Sequence, residues 1–126
     1  MLPTTPAGLD RRLADDYKRA LSKQGFRIVS LVITDTRPTR GLRRAEIVYR
    51  TQAASLSAVR PEVVRLLGPG ANPRLALDQI VIRPLRSNAA PLGAITVSVI
   101  DLDRWLKAQM TNAEFYGRWT LTRPGR

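Results

Sequence analysis

A chain of 126 residues with 44% hydrophobic content is suited to one domain with its own core, and is too apolar for a disordered tail. It contains no cysteine and no histidine, which excludes disulfides, thiolate nucleophiles, Cys-ligated zinc, iron–sulfur clusters and the commonest general base. Its formal charge is +11, from 21 basic against 10 acidic side chains, and such a field favours polyanions, anionic surfaces or an acidic partner protein. Arginine supplies 18 of the 21 cations. A bias from lysine to arginine would not remove carboxylates, so the surplus itself needs a reading.

In chain order, the opening Met1–Pro6 has neither a basic n-region nor an apolar h-region. The longest apolar stretches, around Ile28–Ile33 and Ile95–Ile100, are too short to span a bilayer, so the expectation is a cytoplasmic protein without a membrane span. Residues 1–8 and 123–126 are expected to be flexible. A helix is predicted over Leu9–Gln24, where Leu9, Leu13, Tyr17, Ala20 and Leu21 share a face and Gly25 is the stop. Phe26–Thr36 reads as a strand from its β-branched content, and Arg43–Thr51 as a second, joined by a loop marked by Pro38 and Gly41. A second helix is predicted from about Ser57 to Leu67, beginning near Ser57 or kinking at Pro61. Gly68–Pro73 ends it. Leu77–Leu85 and Ala94–Asp101 form a second pair of strands. Asp101 is then expected to cap a helix from Leu102 to about Met110, with Asp103 and Lys107 paired at four-residue spacing. Asn112 is a candidate cap for a short further turn, and Trp119–Thr122 a candidate edge strand.

The fold expected is a single α+β domain over residues 1–126, in the order helix, hairpin, helix, hairpin, helix. Its four- or five-stranded, mainly antiparallel sheet carries the helices on one face. This order resembles that of roadblock-like and secretion-chaperone-like α/β modules, which are dimeric interaction domains.

Period-2 alternation sorts the strand residues into two faces. Val29, Leu31, Ile33, Ala45, Ile47, Tyr49, Ile80, Ile82, Ile95, Val97 and Val99 make an apolar core side. The other side mixes Val32, Val48 and Val81 with arginines, including Arg44, Arg50 and Arg83, and with hydroxyls. An apolar middle with a polar rim suits an interface, and a plain solvated sheet face has the same look. Val32, Val48 and Val81 are therefore the candidate interface.

The charge is uneven. Residues 36–50 carry +4, and Arg37, Arg40, Arg43 and Arg44 fall within eight positions, with Arg50 on the returning strand. Arginine grips phosphate or carboxylate oxygens bidentately, so Arg37, Arg40, Arg43, Arg44, Arg50 and Arg83 are the candidate anion- or partner-binding residues. A two-stranded ribbon also fits a DNA major groove. No aromatic interleaves the cluster, however, and no helix-turn-helix, RNP-like aromatic strand, KH-type GXXG loop or zinc finger is present.

Signs of catalysis are thin. Asp101-Leu102-Asp103 is a carboxylate pair for which helix capping and the Lys107 pairing already account. The Gly68-Pro69-Gly70 loop lacks the Lys-Ser/Thr of a P-loop. No cofactor is implied. The reading is a non-enzymatic interaction module that binds an acidic protein surface or a second copy of itself; the alternative is nucleic-acid binding through the Arg37–Arg50 hairpin.

Overall fold

Ala14, Tyr17 and Leu21 recur at intervals of three and four residues, so one stripe of the first helix is apolar and must find a partner. In the computed structural model, which describes residues 7–36 and 41–123 (the side chains of residues 7–9 excepted), that stripe is buried on helix α1, Ala7–Lys23. The Tyr17 hydroxyl donates to the Leu66 carbonyl at 2.7 Å, which satisfies its buried oxygen and ties α1 to the second helix. Gly25, at φ +97°, turns the chain out of the helix in a conformation that a side chain would resist.

The chain then forms β1 (Arg27–Asp35) and β2 (Arg43–Arg50), which pair antiparallel. A 3-10 turn at Ser57–Val59 leads into α2, Arg60–Leu67. Pro61 falls in its first turn, where a missing N–H forfeits no helical hydrogen bond. After further 3-10 turns at Gly68–Ala71 and Pro73–Leu75 come β3 (Gln79–Leu85) and β4 (Ala94–Ser98). Helices α3 (Val99–Leu106) and α4 (Asn112–Gly117) and a short β5 (Thr120–Thr122) complete the order.

Among the described residues the architecture is thus α+β, an open sheet of five strands with four α-helices. No helix among them is long and apolar enough to cross a membrane. The expectation of loose ends at 1–8 and 123–126 falls mostly outside the described residues, and α1 is already formed at Ala7.

The strands lie side by side in chain order, β1 to β5. The central pairing, β2 with β3, is parallel, and the other three are antiparallel. Parallel neighbours need a long crossover, and residues 51–78 supply one that carries α2 across the sheet.

Buried residues of all four helices meet one face of the sheet. Leu21, Val63, Leu66, Leu102 and Phe115 share a cluster with Ile47, Tyr49, Ile80, Ile82 and Ile95. Each fully buried aliphatic among these contributes about 1.5–3 kcal/mol.

Four local expectations are corrected. Val29 does not join the core face. The β1–β2 register shifts between Ile28 and Ser30, leaving Val29 in a bulge without an opposite residue, and it is 49% exposed. Val99 is the first residue of α3 rather than part of β4. Asp101 consequently sits in the first turn of α3, with Ser98 in the cap position. The cap of α4 is Thr111, not Asn112: the Thr111 hydroxyl accepts from the Glu114 N–H, and the Glu114 carboxylate accepts from the Thr111 N–H.

Candidate functional site

Arg43 and Arg44 are adjacent on β2, so the alternation of the strand sends them to opposite faces. Arg43 takes the helix side and is 4% exposed. Its Nη2 lies 3.1 Å from Asp10 Oδ1 on α1, and its Nη1 lies 3.6 Å from Asp35 Oδ2 on β1. Its Nε donates to the Leu75 carbonyl at 2.7 Å. The backbone of Arg43 is held as well. Its N–H donates to Asp78 Oδ2 at 2.9 Å, and its carbonyl accepts from the Asp78 N–H at 2.7 Å. Buried, paired and hydrogen-bonded, this guanidinium is a structural tie and is withdrawn from the candidate binding set.

Arg37 and Arg40 lie outside the described residues. Arg44 is half-buried on the open face, and Arg50 is exposed at the far end of the same strand, where its Nη1 donates to the Ser87 carbonyl at 3.4 Å. Arg83 is exposed on β3, its Nε 3.3 Å from Glu46 Oε2. The register adds a residue that the charge count in the loop does not single out. Arg27, on β1 ahead of the bulge, stands directly opposite Arg50. Like charges in that position repel, and no carboxylate among the described residues pairs with either.

The three candidate valines separate. Val32 is 51% exposed on β1 and Val48 is half-buried on β2. Val81 is only 4% exposed and leaves the set. It sits on the central strand, with Glu46 and Thr96 opposite it on the two neighbouring strands, and these flank its short side chain from both sides. Of the three, only Val32 is strongly exposed, and on the same edge strand Val29 is exposed in the bulge. The open face combines Val32 and Val48 with Arg27, Arg44, Arg50 and Arg83 against the single strand carboxylate Glu46 among the described residues.

All seven aromatic side chains are engaged elsewhere. Tyr17, Tyr49 and Phe115 are in the core, and Phe26, Trp105, Tyr116 and Trp119 pack against it. Phe115 stacks on Trp105 with centroids 4.7 Å apart. The open face therefore offers no ring on which a base would stack.

The carboxylate pair at Asp101 and Asp103 is divided between two cations. Asp101 lies 3.8 Å from Arg118, and Asp103 pairs with Lys107 at 3.0 Å. Among the described residues no three carboxylates come together as metal ligands.

Burial perturbs two tyrosines. Tyr17 is pushed well above the ordinary phenol range by desolvation. Tyr49 is raised by desolvation first and then by its bond to the Glu62 carboxylate. Both are therefore neutral hydrogen-bond donors at neutral pH.

No family model, no curated protein and no solved structure matches this chain.

Proposed function

We propose that this chain is a small interaction module whose open sheet face receives an acidic protein surface. The supporting observation is the composition of that face: exposed Val32 and half-buried Val48 lie among Arg27, Arg44, Arg50 and Arg83, with Glu46 as the opposing carboxylate and exposed Val29 in the bulge of the edge strand. An apolar patch with a cationic rim complements an acidic patch that has apolar residues of its own. Self-association through this face is the weaker form of the reading. A two-fold dimer apposes the same patch on both copies and would set arginine against arginine. Nucleic-acid binding through the hairpin is weaker too, because Arg43 is committed internally and the face carries no aromatic.

The test is a fluorescence-anisotropy titration with two probes, a labelled peptide of alternating Glu and Val and a labelled DNA duplex, each at two salt concentrations. The peptide is expected to bind, and Arg44→Ser and Val32→Ser are each expected to weaken it. A duplex that binds more tightly than the peptide, with Val32→Ser without effect, would establish phosphate contact instead and overturn the proposal.

A further inference from the structure

A second cationic feature lies at the end of the sheet where β1 begins and β2 finishes. A cavity of about 260 Å³ opens there, lined by Arg27, Arg50 and Arg65 together with Tyr49, Thr51 and Glu62. Arg65 comes from α2, on the helix side of the sheet, so this cavity wraps the end of the sheet and joins Arg27 and Arg50 of the open face to a residue that the face lacks.

The electrostatics of the lining are unbalanced. Glu62 is its single carboxylate. Its Oε1 accepts from the Tyr49 hydroxyl and from the Thr51 hydroxyl, each at 2.7 Å, so among the described residues the carboxylate is bound by neutral donors and by no guanidinium. None of the three arginines has an ion-pair partner among the described residues. Arg27 and Arg50 stand opposite each other on the ladder, a repulsion that an anion between them would relieve.

Arg65 is also held in place. Its Nη2 donates to the Gln24 carbonyl at 2.9 Å, and its guanidinium lies 4.7 Å from the centre of the Phe26 ring. A guanidinium has five N–H donors, and the bond to Gln24 uses one of them. An oriented arginine, two further arginines with no carboxylate partner among the described residues and a concave space of about 260 Å³ are the elements of an oxyanion site.

We propose that this cavity binds a small ligand through an oxyanion, a phosphate or carboxylate group held by Arg65, Arg27 and Arg50. Glu62, fixed by Tyr49 and Thr51, stands at the same cavity as an acceptor for a hydroxyl or amine on the ligand. The cavity shares Arg27 and Arg50 with the open face, but Arg65 belongs to the cavity alone, so loss of Arg65 tests the site without altering that face.

The experiment is an NMR amide-shift titration of the full chain with inorganic phosphate and, in a separate arm, with acetate. Ionic strength is held constant with chloride. Saturable shifts are expected at the amides of Gln24, Gly25, Gln52 and Arg65, and the stronger arm identifies the oxyanion. Arg65→Gln should raise the half-saturating concentration roughly tenfold. Arg12→Gln, an equal charge change on the exposed side of α1, should leave it unchanged. Should Arg65→Gln fail to give a folded spectrum, Arg27→Gln on the exposed strand carries the same prediction. Shifts no larger than those of chloride in both arms would overturn the proposal, as would equal affinities of the cavity variant and Arg12→Gln.

Discussion

The two faces of the sheet treat arginine in opposite ways. On the helix side, Arg43 is almost fully enclosed, and two carboxylates and a carbonyl surround it. On the open side, Arg27, Arg44 and Arg50 have no carboxylate partner among the described residues, and Arg83 shares Glu46 at a solvent-exposed distance of 3.3 Å. The same residue type thus serves cohesion on one face and leaves a field for a partner on the other. Net charge does not distinguish these uses, whereas burial and pairing do.

The largest expected effect follows from separating Arg43 from its neighbour. Arg43→Ala removes one guanidinium, leaves Asp10 and the Leu75 carbonyl without it in a nearly dry site and takes one cation away from Asp35, at a cost of about 3–5 kcal/mol. Arg44→Ala should change stability by about 0.5 kcal/mol or less. Urea denaturation of the two variants measures both. Equal losses would mean that the faces are not different in kind. A comparable contrast in apolar residues should separate Ile47, fully buried, from Val48, half-buried on the other face. Ile47→Ala should cost about 2–5 kcal/mol, and Val48→Ala about 1 kcal/mol or less. A Val48→Ala loss as large as that of Ile47→Ala would show that something already covers the open face in solution.

How much of this is legible in the residues depends on the strand. Along β2, residue types alternate cleanly: Ala45, Ile47 and Tyr49 go inward and Arg44, Glu46 and Arg50 outward. The same parity assigns Arg43 to the inside. That signal was available, but a count of loop arginines overrides it by treating charge as a sign of exposure. β1 resists the same reading. Nothing in Arg27–Asp35 marks Val29 as the extra residue, because a bulge is set by the pairing with β2 and not by the strand alone. That bulge also determines which side Arg27 takes. Val81 has the right parity for the open face, and its burial comes from Glu46 and Thr96 on strands distant in sequence. The cavity at the sheet end is hidden for the same reason, since Arg27, Arg50 and Arg65 meet only through the fold.

The smallest effect concerns a carboxylate that no arginine neutralises in the manner of Asp10 and Asp35. Glu114 is exposed, and its ionised form is favoured first by the backbone N–H of Thr111, then by the Thr111 side chain and by the nearby charge of Arg118, so its pKa is lowered from 4.5. A carboxyl group with a depressed pKa in the folded state adds stability that is present above the unfolded value and lost as pH falls through the folded one. At pH 7 the wild type should therefore melt slightly above Glu114→Gln, which keeps an oxygen acceptor for the Thr111 N–H but carries no charge. As the pH falls from about 5 to 3 the two melting curves should converge. Convergence would make the capping charge, rather than the shape of the capping box, the source of the difference. A gap that persists unchanged to pH 3 would assign it to shape, and would leave buried Arg43 rather than any exposed pair as the place where charge stabilises this fold.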